Sequence, residues 1–189
     1  MYTLYNKHKE HYTQRLTMKK LLASAVLLLA LLTSTHAEND MKMSMTDING
    51  KTYKVSNTDQ GMKIKGLEGK IIFLEFFGHK CPPCLKSIPH LSKLQKKYKN
   101  KLAIVAIEVQ GLNNSQLQSF AKEKGMNYIV VSNEKANEMV DYVSARAQWQ
   151  GSIPFLVVMD KKGDVQHVQA GMLPESTLED IVKQLDTKE

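Results

Sequence analysis

Cys81 and Cys84 are the only cysteines in the 189-residue chain, and they stand three apart. A bridge at that spacing closes a loop too small to constrain an unfolded chain much, so it makes a poor structural staple. It suits reversible exchange instead, in which one thiolate attacks a foreign disulfide and the other resolves the mixed intermediate. His79, Lys80 and Lys86 add positive potential nearby, which favours the thiolate. The intervening residues are Pro82 and Pro83. Proline has no N–H, so one donor that would stabilise a Cys81 thiolate is absent, and a modest pKa depression with a relatively reducing couple is expected.

Other chemistries for the pair are weaker. Haem attachment of the c type needs a histidine directly after the second cysteine, where this chain has Leu85. Zinc takes four ligands; Cys81, Cys84, His79 and His90 nominally supply them, but there is no second Cys-x-x-Cys. A disulfide oxidase or isomerase that donates its disulfide is the alternative within the class, and a copper- or zinc-binding chaperone using the same cysteines is the alternative from a different class. Met41, Met43 and Met45 offer thioethers suited to Cu(I), set against chance clustering in a flexible segment over 38–45. Neither a cofactor nor a resident metal is expected.

The pair must be held by particular elements. Residues 71–77 form a nearly continuous apolar run, the signature of a strand buried on both faces. It ends at Gly78, and the cysteines follow at once. Leu85, Ile88, Leu91 and Leu94 recur at helical spacing, which predicts a helix from Pro83 to about Tyr98 with Cys81 at its N-terminus and a kink at Pro89. A helix N-terminus presents unpaired N–H groups and a positive dipole end to the first sulfur. Further strands are predicted over 102–109, 128–131, 155–159 and 165–170, with an Asn-Gly hairpin turn within 47–53. Helices are predicted from Asn114-Ser115 to about Lys124, from Glu134 to about Val143, and after Pro174. Strands alternating with helices, followed by a hairpin and a last helix, imply a three-layer α/β domain.

The leader carries its own signal. Lys19-Lys20 precede twelve residues, 21–32, that are apolar except for Ser24, and Thr35 and Ala37 supply small residues at the −3 and −1 positions of a cut after Ala37. This is the pattern of a cleavable secretory signal over 1–37. As a helix, twelve residues span about 18 Å, short of the ~30 Å hydrocarbon core that an anchor must cross. The leader has no cysteine for a lipoprotein-type cut, and Met18 is a natural initiator. The net charge of +7 is partly the leader's, which holds five of the 26 basic residues and one of the 19 acidic ones. The remainder has a net of +3, and nucleic-acid binding is not expected.

Residues 69–84, running through the apolar strand to Phe77-Gly78-His79-Lys80-Cys81-Pro82-Pro83-Cys84, resemble the active-site strand and helix start of thioredoxin-fold proteins, closest to the exported TlpA/ResA branch. Gly151-Ser152-Ile153-Pro154-Phe155 resembles the family's cis-proline loop, and the Lys161-Lys162-Gly163-Asp164 turn with Gly171 resembles its closing hairpin. The resemblance implies a thioredoxin-like domain over 46–189, with a central mixed β-sheet flanked by helices. It implies that Cys81 is the nucleophile, that Cys84 is the resolving thiol and that Glu75 handles the proton of Cys84. Glu75 lies among Phe73, Phe76 and Phe77, where desolvation should raise its pKa. Pro154, if cis, would present the Ile153 backbone to a substrate strand, with Pro82 and Trp149 as further substrate contacts; Trp149 reads equally as a core aromatic. The family also implies a periplasmic monomer that reduces protein disulfides, apocytochrome c among them, with electrons from a membrane thiol transporter. The chain departs from the family pattern in Lys80, where tryptophan is common, in Phe77-Gly78-His79, and in Ser87, where some relatives carry glutamate.

Overall fold

Residues 71–77 are apolar on both sides of their alternation, Glu75 excepted, and they form β4 (Ile71–Phe77) with every residue buried. The computed structural model describes residues 42–187. The expected signal segment, its cleavage site and Met41 lie outside the described residues.

β4 is the middle of a five-stranded sheet with order β6-β5-β4-β7-β8. β5 (Leu102–Glu108) and β6 (Ile129–Ser132) run parallel to it, while β7 (Phe155–Met159) pairs antiparallel with β4 and β8 (Val165–Ala170) antiparallel with β7. α1 (Pro82–Lys97) and α2 (Asn114–Glu123) follow β4 and β5 as the crossovers that parallel strands require. A 3-10 turn (Asn133–Lys135) and α3 (Asn137–Ala147) link β6 to β7, and α4 (Glu175–Asp186) closes the chain. This is the expected α/β thioredoxin-like architecture.

Alternation along β4 divides the core. Ile72, Leu74 and Phe76 point into a cluster shared with α3 and a second, three-stranded sheet, order β1-β2-β3. That sheet comprises β1 (Lys42–Thr46), β2 (Thr52–Asn57) and β3 (Met62–Ile64). Ile71 and Phe73 face α1 and α4, and Phe77 faces Cys84 and α2. Glu75 therefore shares the side of the sheet covered by α1. Helices on one face and a helix with a small sheet on the other make the three layers. Each fully buried large side chain contributes about 1.5–3 kcal/mol of transfer free energy.

Several expectations need correction. Residues 42–45 are not a flexible segment: they lie in β1, with Met43 and Met45 buried in the core. Alternating methionines on one face of an amphipathic strand read as a loose cluster only when the strand is missed, and buried thioethers are not free ligands for Cu(I). β3 escaped detection because three residues carry too little pattern. It is tied to the β7–β8 turn by Met62 N–H donating to the Gly163 carbonyl at 3.0 Å. Gly61 and Gly163 permit that approach, since a Cβ on either would meet backbone of the other segment. α2 is capped by Asn113 rather than by Asn114-Ser115, through a reciprocal box in which Asn113 Oδ1 accepts from Gln116 N–H at 2.9 Å. α3 begins three residues later than expected, after the 3-10 turn, and runs to Ala147.

Candidate active site

The register of the sheet gathers the site. Phe76 pairs with Phe155, so the start of β7 lies beside the end of β4. The loop carrying Ile153-Pro154 therefore abuts the one carrying Gly78–Cys81. α1 springs from that corner with Cys81 as its N-cap and Pro82 and Pro83 in its first turn. The two prolines have no N–H to offer. The first available donor is Cys84 N–H, and it points at Cys81 Sγ at 3.3 Å. In this structure Cys81 and Cys84 form a disulfide, with Cα atoms 5.2 Å apart. Cys81 is 7% exposed and Cys84 fully buried, so an incoming sulfur reaches the first cysteine and not the second. Pro82 and Lys80 flank Cys81 on the surface.

The peptide bond between Ile153 and Pro154 is cis, and the Ile153 carbonyl oxygen lies 3.8 Å from Cys81 Sγ. Trp149 stacks against Phe155 and tilts against Phe76, with ring centroids 5.5 and 4.7 Å away. Its indole N–H donates to the Ser152 carbonyl at 2.7 Å. The ring thus packs on the core half opposite Cys84 and braces the cis-proline loop from behind.

Beneath the cysteines lies Glu75, 5% exposed. Burial disfavours its charged form and pushes its pKa up to about 7; a hydrogen bond from Ser87 opposes the shift. Ser87 Oγ sits 3.0 Å from Glu75 Oε1 and 2.8 Å from the carbonyl oxygen of Cys84. A cleft of about 20 Å3 borders Glu75 and Ser87 and is also lined by Pro154, Leu156 and Met172, which leaves room for about one water molecule. A larger cavity of about 270 Å3 lies between α3 and β8, beside Tyr142, Arg146 and Val168. It contains none of the groups that carry the chemistry.

A second buried carboxylate escaped the sequence analysis. Glu108, fully buried at the end of β5, accepts N–H bonds from Gln110 at 3.0 Å and Leu112 at 2.9 Å, and its Oε1 is 2.8 Å from His79 Nδ1. Gln110 Oε1 in turn accepts Lys80 N–H at 2.8 Å, and a Cβ on Gly78 would collide with the Gln110 side chain. The loop entering Cys81 is therefore stitched to the loop leaving β5. The available signal was a lone carboxylate in an apolar run, at its end for Glu108 and inside it for Glu75.

The nominal zinc ligands are not assembled. His79 is engaged by Glu108, and His90 Nε2 lies 4.0 Å from Glu175. Among the described residues no three His, Cys, Asp or Glu side chains group as a metal site would need. What the arrangement can do is thiol–disulfide exchange: an accessible sulfur under one aimed N–H, a buried partner sulfur, and a carboxyl that titrates near neutrality.

Comparison with known proteins agrees with this geometry. The model of the AhpC/TSA family matches residues 41–168. The thiol–disulfide oxidoreductase ResA of Bacillus subtilis strain 168 is 28% identical over 137 residues, covering 72% of this chain and 68% of its own. ResA of Halalkalibacterium halodurans is 26% identical over 128 residues, covering 66% and 67%. Among solved structures, a thiol:disulfide interchange protein of the thioredoxin family from Chlorobium tepidum TLS is 25% identical with a TM-score of 0.64. That match covers 76% of this chain and 92% of the other.

Proposed function

Because the chain belongs to the AhpC/TSA family and is a thiol–disulfide oxidoreductase of the ResA type, we propose that it works as an exported reductant of protein disulfides. The observation that carries the direction is the first turn of α1. With Pro82 and Pro83 in place, a single backbone N–H, that of Cys84, serves the Cys81 sulfur. A thiolate with few donors is a weakly stabilised one, so the dithiol readily gives up its electrons.

In the forward reaction Cys81 thiolate attacks a substrate disulfide. A bond forms between Cys81 Sγ and one substrate sulfur, and the other leaves as thiolate. Cys84 then attacks Cys81 Sγ, forming the intramolecular bond and releasing the second substrate thiolate, while the Cys84 proton passes to the Glu75 carboxylate. Two electrons have moved from protein to substrate. The Ile153 backbone, held by the cis bond to Pro154 and braced by Trp149, offers an extended substrate segment a strand to pair with. Pro82 forms the exposed apolar rim beside it.

The signal pattern over 1–37 supports export, and in this reading the protein works in the periplasm as a monomer. The TlpA/ResA resemblance supports apocytochrome c thiols as client and a membrane thiol transporter as electron donor. The test is direct. Reduced protein should reduce insulin or a model mixed disulfide, Cys81→Ser should abolish the activity, and Cys84→Ser should trap a covalent complex with substrate. Stoichiometric Cu(I) or Zn(II) binding without reductase activity would overturn the reading.

A further inference from the structure

Ser87 stands three residues after Cys84, inside α1, and is 4% exposed. Its hydroxyl lies within hydrogen-bond distance of two oxygens at once, Glu75 Oε1 at 3.0 Å and the Cys84 carbonyl at 2.8 Å. A hydroxyl has one proton to donate and lone pairs with which to accept. It cannot donate to both oxygens together. We propose that Ser87 is the positioning residue of the proton step, a two-way hydroxyl whose orientation follows the charge on Glu75. This rests on the proton role given to Glu75 above and deepens it.

When Glu75 is ionised it has only acceptors, so Ser87 must turn its proton to the carboxylate and release the Cys84 carbonyl. When Glu75 holds a proton, the carboxyl donates to Ser87 Oγ, and the Ser87 hydroxyl donates back to the Cys84 carbonyl. In both states the hydrogen bond between Ser87 and Glu75 is kept, which lowers the cost to a buried carboxyl of changing its charge. The arrangement also physically links the carboxyl to the helical turn that carries Cys84. During resolution the Cys84 proton moves to the carboxylate, the Cys81–Cys84 bond forms, the bond to substrate breaks, and the hydroxyl swings from Glu75 to the carbonyl. On reduction the sequence reverses.

The other groups around Glu75 leave this role to Ser87. Its cross-strand neighbours are Ala106 on β5 and Leu156 on β7, and Leu173 and Leu178 approach from the α4 side; none of them titrates. The titratable group shown to feel its charge is Tyr128, whose buried hydroxyl is pushed upward by desolvation and then by the Glu75 charge; Cys84 is linked to Glu75 through the Ser87 hydroxyl. Ser87 is the side chain that bonds the carboxylate, and its bond favours the charged form.

Removing the hydroxyl should therefore raise the pKa of Glu75. We expect Ser87→Ala to move the inflection in the pH profile of mixed-disulfide resolution upward by about one unit. Resolution at pH 7 should slow about fivefold, because fewer molecules then hold the acceptor carboxylate. Ser87→Thr, which keeps the hydroxyl, should return the inflection to its original place. Titration of the protonated Glu75 carboxyl band in the infrared spectrum of the oxidised protein measures the same shift without turnover. An inflection lost in Glu75→Gln but unmoved in Ser87→Ala overturns the role of Ser87 alone. An inflection that persists in Glu75→Gln overturns the proton role of Glu75 and the present proposal with it.

Discussion

Glu75 is a buried carboxyl packed against the helix that carries the cysteines, beside a cleft with room for about one water molecule. Glu75 keeps its proton up to about pH 7 in the native protein, against an ordinary value of 4.5. Between those values unfolding releases a proton, so stability falls as pH rises through the interval, by about 3 kcal/mol in all. Below it both states are protonated and Glu75 adds no pH dependence; above it the loss is complete and constant. Glu75→Gln removes the titration. Urea unfolding of the oxidised proteins should show the two nearly matched near pH 4.5 and the variant pulling ahead up to pH 7; a constant difference across that range would mean that Glu75 is not shifted. Of the site residues, the cysteines, Glu75 and Pro154 were legible because spacing, an apolar setting and a motif mark them in the linear chain. Ser87 and Glu108 were not read as site residues, since their partners are brought to them only by the packing of α1 on β4 and by the loop after β5.

Among the elements, the first turn of α1 decides how the nucleophile is stabilised. Side chains at an N-cap accept from N–H groups two or three residues on, and here the nearer position is Pro83 while the farther is Cys84. Pro83→Ala restores the missing backbone donor. Stabilising the thiolate stabilises the reduced form, so the couple should become more oxidising by roughly 30–60 mV, read by equilibration with glutathione. A couple that stays in place or moves the other way would show that the missing N–H is not what sets it. The same helix shows what sequence patterns carry. β4, β7 and β8 were read to the residue because continuous apolar or alternating runs end at glycine or turn residues. α3 was misplaced because Ala136, buried at the junction of the 3-10 turn and the helix, continues the apolar pattern through a break in the hydrogen bonding.

Across the whole molecule, the sheet brings three separate stretches of chain to one corner. The end of β4 supplies the cysteines, the end of β5 supplies Glu108 and Gln110 to hold the loop before them, and the start of β7 supplies the cis-proline loop. Loops at the carboxyl ends of parallel strands are where α/β sheets place their chemistry, and the antiparallel β7 adds its beginning to the same edge. The other half of the core, with β1–β3 and α3, supports this corner from below: Phe76, Trp149 and Phe155 transmit that support to Ser152 and hence to Ile153-Pro154. Under the proposed function this corner donates electrons. The reduction potential of the Cys81–Cys84 couple, measured by equilibration with glutathione or dithiothreitol, tests it most directly. A value on the order of −250 mV is expected, and one above about −150 mV, toward the roughly −120 mV of strong disulfide oxidants, would show that the couple oxidises its partners instead.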